Sequence, residues 1–379
     1  MRKIAFLTLG DISKLPTMKR ALGMANPMHE LGWEVSIIAM DCLENRKRIA
    51  MECNSQIQTY YFDETAATQE SKIKTSIVNR IKPDFVYICS FGFRNRIIKS
   101  LLNYKPALLV EHSELLSSIE SLGKARRLVH YYFELKSVFY SNGLICASKY
   151  LYNYYKKMAG FFNKVKYPIL YSPYAFNDKV ILAPTKLASA LKEKYKDKTI
   201  LIYMGGMTRN YGLFTMINAI QMLSQKSKQV KLLLMGDGVH LAEAKEFVKA
   251  NKLSDNVEFL GYVPEDEISS YFEIADMLIS PLNNTIQDKA RCPSKIYIYL
   301  PFNKPVLTCK VGEAEEIFKE DGYYFDNSRP ESLSALIENI MDKVNIQKGR
   351  IDVFQHTWTK RAEELDNWLK VNFSNADKV

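Results

Sequence analysis

A chain of 379 residues, 47% apolar and 25% charged, is longer than one ordinary hydrophobic core organises and has the makeup of a globular protein of two domains, not of a disordered or fibrous one. Its net charge of +10 is lopsided: residues 1–175 hold 25 Lys and Arg against 14 Asp and Glu, and the remainder holds 27 against 28. No apolar run approaches the roughly 18 residues of a spanning helix, and six cysteines without a C-x-x-C pair argue for reduced, buried thiols over disulfides or zinc.

The apolar stretch Ile4 to Leu9 is too short for the core of a leader and meets Asp11, so it reads as a first strand. Apolar residues at helical spacing over 14–31 follow, closed by Gly32-Trp33, and then the strand Glu34–Met40. This strand–helix–strand opening has no G-x-G-x-x-G, which argues against a dinucleotide cofactor. On the helix, Lys19 and Arg20 face either solvent or a ligand. Further strands are expected at 56–62, 84–90, 107–111, 143–147 and 167–171, with helical stretches between them. Such alternation predicts an α/β, doubly wound sheet, parallel and covered on both faces. Functional groups then collect at the carboxyl ends of its strands. His112 stands at one such end, either touching a ligand or held by core hydrogen bonds.

Residues 121–170 carry nine basic side chains against one acidic, Glu134, with Tyr and Phe interleaved. Helices of that kind suit an acidic membrane surface, each lysine contributing about 1 kcal/mol. The plainer reading is a solvated basic face whose aromatics belong to the core. No nucleic-acid motif accompanies the charge, so no nucleic acid is expected as a partner.

The pattern loosens over 175–198, read as a linker between a first domain, 1–174, and a second, 199–354; a last helix falls within 355–379. The strand Thr199–Met204 runs into Gly205-Gly206-Met207-Thr208-Arg209-Asn210-Tyr211-Gly212, where glycines let the backbone approach a phosphate and Arg209 is the one cation. Next come Leu232–Met235 with the turn Gly236-Asp237-Gly238, and Val257–Leu260 with Gly261-Tyr262-Val263. After these, Pro264-Glu265-Asp266-Glu267 opens a helix with acids that suit its dipole better than a metal. Without an Asp-x-Asp to hold a divalent cation, neither metal nor cofactor is expected. Finally, Arg291, Pro293, Ser294 and Lys295 read as a helix start flanked by cations, a seat for phosphate that a sugar-linked diphosphate would use fully.

Pro293-Ser294-Lys295-Ile296, followed by Lys304-Pro305-Val306, resembles the late signature of glycosyltransferase family 4, the group 1 glycosyl transferases of the GT-B fold. The resemblance implies two facing Rossmann-like domains and a C-terminal helix crossing back to the first. It implies transfer, with retention, from a UDP- or GDP-linked sugar to a glycan or lipid-linked acceptor of a bacterial surface polysaccharide. The enzyme would be cytoplasmic, peripheral on the inner face of the membrane. By the same resemblance, Gly236, Asp237 and Gly238 lie beside the nucleotide, Gly261, Tyr262 and Val263 edge its base, and amides at Glu313 face the donor. His112 would sit near the reacting sugar, and Arg209 and Lys295 would stabilise the departing diphosphate. The chain departs from the pattern at four positions. Gly206 and Tyr211 stand where an arginine and a lysine are frequent, and Ala290 and Ile298 where two glutamates are. These departures favour an alternative, a non-catalytic GT-B protein that binds a partner enzyme or a glycan.

Overall fold

The computed structural model describes residues 2–13, 15, 17–178, 186–342 and 351–373. The chain divides into two units: Met1–Asp178 with Lys289–Cys292 and Phe354–Val379, and Lys179–Asp288 with Pro293–Val353.

The first unit holds strands β1 (Lys3–Leu7), β2 (Glu34–Met40), β3 (Gln58–Phe62), β4 (Phe85–Ile88), β5 (Ala107–His112), β6 (Gly143–Cys146) and β7 (Ile169–Tyr171). They form one sheet in the order β3-β2-β1-β4-β5-β6-β7, with every pairing parallel. Between them run helices α1 (Met18–Glu30), α2 (Leu43–Glu52), α3 (Ala67–Ile81), α4 (Ile98–Leu101), α5 (Lys124–Tyr140) and α6 (Lys149–Phe161). The central strands are buried along their whole length because helices cover both faces, so they read as continuous apolar runs rather than as alternating ones.

The second unit repeats the plan with α7 (Lys186–Lys194), β8 (Thr199–Met204), α8 (Leu213–Gln225), β9 (Val230–Met235), α9 (Leu241–Ala250), β10 (Val257–Gly261), α10 (Glu265–Ile274) and β11 (Met277–Ser280). Then follow α11 (Ile286–Ala290), α12 (Ser294–Tyr299), β12 (Val306–Thr308), α13 (Glu313–Phe318), β13 (Tyr323–Tyr324) and α14 (Pro330–Met341). Its parallel sheet has the order β10-β9-β8-β11-β12-β13. In both sheets the order reverses beside the first strand, between β1 and β4 and between β8 and β11. Such a switch point opens a crevice at the strands' carboxyl ends, where doubly wound proteins hold ligands.

The last helix, α15 (Trp358–Phe373), lies in the first unit, as the GT-B plan requires. Trp358 covers Gly23 of α1 so closely that a Cβ there would overlap the indole, and Trp368 does the same at Gly143. The Trp33 indole N–H donates to Asp366 Oδ1 at 3.0 Å, so the helix is held by one polar and two aromatic anchors.

Three expectations change. Arg20 faces neither solvent nor ligand: it is fully buried, its Nε donates to Glu111 Oε1 at 2.8 Å and its two terminal nitrogens to Ser172. Residues 186–198 of the expected linker belong to the second unit, where Lys192 pairs with Glu273 and the Tyr195 hydroxyl donates to Glu258; residues 179–185 and the tail 374–379 lie outside the described residues. The stretch 289–295 does not act as one piece, because residues 289–292 pack with the first unit. There Ala290 is fully buried and its carbonyl accepts from Ser148 Oγ at 2.6 Å, while Cys292 Sγ accepts from the Tyr174 N–H. All six cysteines are free, four of them buried.

Candidate functional site

At the switch point of the second sheet, β8 ends and the chain bends at Gly205, whose φ of +153° lies outside the range of ordinary side chains. A Cβ on Gly205 would stand 2.6 Å from Lys295 Nζ, so the absence of a side chain is what admits the ammonium to the bend. Lys295 Nζ lies 4.0 Å from the Tyr203 ring centroid and 6.0 Å from that of Tyr211, which places the cation beside two aromatic faces. The Tyr203 hydroxyl donates to the Gly206 carbonyl at 3.0 Å, and the Tyr299 hydroxyl receives the Met204 N–H at 3.1 Å. The backbone under the lysine is thus pinned from α12 and from β8 itself.

The neighbouring loop packs onto the same bend. Gly236 (φ +123°) leaves room for the Gly205 carbonyl, which a Cβ would overlap, and its N–H donates to the Gly261 carbonyl at 2.7 Å. Gly238 abuts the Met207 backbone, and Asp237 is exposed with its Oδ1 receiving the Gly238 N–H. Beyond Gly261, Tyr262 is 85% exposed and Val263 is buried. Gly205, Gly206, Lys295, Tyr211, Gly236, Gly238 and Gly261 therefore converge on one sheet edge.

Other expected site residues lie differently. Arg209 occupies a 3-10 turn, where its guanidinium pairs with Glu243 of α9 and stacks 4.2 Å from the Phe214 ring centroid. Its charge is already engaged. Ser294 is the first residue of α12 and does not cap it: the cap position is Pro293, without a side-chain hydrogen bond, and the helix is only six residues long. Its dipole is correspondingly weak. Glu313 is fully buried at the start of α13 and accepts from the Tyr297 hydroxyl at 3.2 Å. Ile298 is half-buried between Tyr297 and Tyr299, both fully buried. Arg291 belongs to the first unit, where burial raises the Glu114 pKa and the Arg291 charge offsets only part of that rise.

His112 is a core residue. Its Nδ1 receives the Tyr155 hydroxyl at 3.0 Å, and its Nε2 lies 2.9 Å from Ser137 Oγ, which itself donates to the Glu134 carbonyl. With the Ser137 proton so committed, Nε2 must be the protonated nitrogen, and both ring positions are filled. Burial lowers its pKa to about 3, so the ring is neutral. The expectation of a sugar contact is corrected: no ring nitrogen is left to make it.

Residues 187–351 match the family model described as glycosyl transferases group 1. Over this stretch the chain is similar to the group 1 glycosyl transferases. Among curated proteins, the chain is 21% identical over 185 residues to the amylovoran biosynthesis glycosyltransferase AmsK of Erwinia amylovora, a match covering 48% of this chain and 44% of that one. It is 24% identical over 193 residues to the lipopolysaccharide 1,2-N-acetylglucosaminetransferase of Salmonella typhimurium, covering 46% and 50%. The chain thus spans about half the length of these relatives. Over its full length, it has the fold of Anabaena Alr3699/HepE crystallised with UDP-glucose, with a TM-score of 0.69 at 15% identity, covering 100% of this chain and 99% of that one. The fold is GT-B, and the bend at Gly205 lies inside the group 1 region.

Sequence reasoning missed the residues that hold this site in shape. Asn283 Nδ2 donates to the Asn210 carbonyl at 2.6 Å, and Asn327 Nδ2 donates to Asn283 Oδ1 at 2.8 Å, tying the loops after β8, β11 and β13 together. Asparagines in loops are too common to signal such a brace. Tyr203 and Tyr299, at the ends of apolar runs, read as core.

Proposed function

We propose that this protein is a nucleotide-sugar-dependent glycosyltransferase that moves a sugar from a UDP- or GDP-linked donor to a glycan or lipid-linked acceptor in the synthesis of a surface polysaccharide. The single observation that carries the reading is the Lys295 ammonium held against the Gly205–Gly206 bend at the switch point of a sheet inside the group 1 match. In sugar transfer from a nucleoside diphosphate the barrier is departure of the diphosphate, on which negative charge accumulates. A fixed cation with adjacent backbone N–H groups stabilises that charge without reorganising. Lys295 takes this role, since the Gly205 and Met207 N–H groups already donate to the Met235 and Asp237 carbonyls; Gly236, Asp237 and Gly238 flank the nucleotide, and Tyr262 lies along its base.

Transfer proceeds with retention and without a metal ion, since a lysine does the work a divalent cation would do. Among the described residues no group of three or more His, Cys, Asp or Glu could hold a metal. None of their helices is long and apolar enough to cross a membrane. The basic, aromatic face of α5 and α6 brings the protein to an acidic membrane surface on the cytoplasmic side, where a lipid-borne acceptor would be met. Leu128, Tyr131, Tyr132, Phe139, Phe161 and Val165 are all exposed there, among lysines and arginines.

One observation favours a second reading. With Ile298 apolar and Arg209 paired to Glu243, this sheet edge offers fewer polar groups than the family pattern, as in a non-catalytic GT-B protein that binds a partner enzyme or glycan. Calorimetric titration with UDP, GDP and their sugars, with and without EDTA, separates the two. The enzyme binds one nucleotide, keeps that binding in EDTA, and releases it from the matching donor when membrane extract is added. Flat titrations across the panel support the scaffold.

A further inference from the structure

On the first unit, a cavity of about 400 Å³ is lined by Ser117, Lys124, Arg127, Leu128 and Tyr131. It lies where β5 gives way to α5, on the carboxyl side of the sheet. Its wall is built before any ligand arrives. Glu134 receives the Ser117 N–H at 3.0 Å and the Ser117 hydroxyl at 2.7 Å, and the Ser117 carbonyl receives Arg127 Nε at 2.8 Å. The only acid nearby on the helix is thereby spent on the loop, and Arg127 is fixed by one nitrogen with its terminal nitrogens spared. Among the described residues no carboxylate forms an ion pair with Lys124, Arg126 or Arg127, although elsewhere Arg46, Arg94 and Arg209 each have one.

The charge is also placed against the helix. The first turn of α5 reads Lys124-Ala125-Arg126-Arg127 with no acid and no side-chain cap, so three cations gather at the end where the backbone is already positive. An isolated helix gains nothing from that arrangement, whereas a bound anion relieves it. Apolar surface continues from the cavity: Leu128 is 69% exposed, and Tyr131 and Tyr132 are exposed beside it. A simple phosphate would use the cations and leave these side chains idle.

We propose that this cavity binds a phosphoryl or diphosphoryl group attached to an apolar chain, the head of a lipid-linked acceptor, with the chain laid along Leu128, Tyr131 and Tyr132. The assignment rests on the glycosyltransferase reading for its purpose but not for its chemistry. The phosphoryl group meets Lys124 and Arg127, and the apolar chain directs the attached glycan out along the sheet edge.

The test is calorimetry on the full chain with three probes: farnesyl diphosphate, farnesol and inorganic pyrophosphate. Farnesyl diphosphate is expected to bind at least tenfold more tightly than either of the others. Lys124→Glu and Leu128→Asp, made separately, should each weaken it at least tenfold, while Lys156→Glu/Lys157→Glu on α6 changes it less than threefold. UDP titrated into the same variants reports on the second unit, and its affinity should not move. Equal binding of farnesol would show that the cations do not read phosphate, and equal binding of pyrophosphate would assign the cavity to a soluble anion; either result overturns the proposal. So does equal weakening by the α6 variant, which would mean diffuse attraction. If farnesyl diphosphate binds as stated but UDP does not bind the wild-type chain, the glycosyltransferase reading fails and the cavity assignment stands.

Discussion

The ring of Tyr211 lies against Gly206, so that a Cβ on the glycine would stand 3.0 Å from Tyr211 Cε2. The missing side chain at 206 and the ring at 211 therefore fit together, and the ring shares with Tyr203 the flank of Lys295. Gly206 has an ordinary φ, so only the ring opposes a larger residue there. The double variant Gly206→Arg/Tyr211→Lys should therefore bind UDP about tenfold more tightly than wild type, since each cation adds a charge-assisted bond worth about 1.5–3 kcal/mol before desolvation costs. Gly206→Arg alone should gain less and lose about 1–3 kcal/mol of stability from overpacking. Calorimetry with UDP, paired with thermal melts, checks both. Additive effects of the two single variants would sink the coupling.

Lys295 and Arg209 are both cations of the second unit, yet only the former is directed at the bend. Lys295→Met keeps the length and the contact with Tyr203 while removing the charge. UDP affinity should fall roughly 10- to 150-fold, the equivalent of one charge-assisted hydrogen bond. Arg209 is half-exposed and held by Glu243, so Arg209→Gln should change UDP affinity by less than about threefold. A larger loss at Arg209 than at Lys295 would reverse the assignment.

How much of this was legible beforehand differs between fold and site. β2 and β8 fall on the bounds that their apolar runs predict, because strands buried on both faces leave an unbroken apolar signature. The C-terminal helix was likewise readable within 355–379. Residue roles were harder. Arg20 looks like any helix-surface arginine, and only the fold brings Glu111 and Ser172, 91 and 152 residues away, to its guanidinium. Cys292-Pro293 gives no hint that the chain changes unit there. His112 satisfied a positional rule for ligands at strand ends, but Tyr155 and Ser137, which consume it, are remote in sequence and identifiable only through packing.

Arg20 and Glu111 form a buried ion pair in the first unit, both almost wholly shielded from water. Burial works against both charges, raising the Glu111 pKa, while the pair's mutual attraction and the Tyr87 hydroxyl at 3.1 Å hold the carboxylate in place. Glu111→Gln keeps the shape and strands the guanidinium. It should cost about 3–5 kcal/mol, more than an exposed pair of equal geometry contributes. All three tryptophans, Trp33, Trp358 and Trp368, are in this unit, so tryptophan fluorescence during urea unfolding reports it selectively. Glu111→Gln/Arg20→Met should recover part of the loss, because no charge is then left unpaired.

The His112 assignment has a consequence in pH. Its pKa is about 3 when folded, owing to burial, and about 6.5 when the chain is unfolded. Between those values the unfolded chain binds a proton that the folded one refuses. Stability must therefore fall as pH falls through that window, by up to about 1.4 kcal/mol per pH unit from this group alone. Above pH 6.5 the residue contributes no slope. His112→Gln can still accept from Tyr155 and donate to Ser137 but does not titrate, so it should be less stable than wild type at pH 7.5 through imperfect packing and should lose stability less steeply toward pH 4.5. Urea midpoints by tryptophan fluorescence at several pH values give both slopes. Parallel slopes for wild type and variant would mean that the imidazole takes its proton in the folded state, and the buried neutral ring would have to be abandoned.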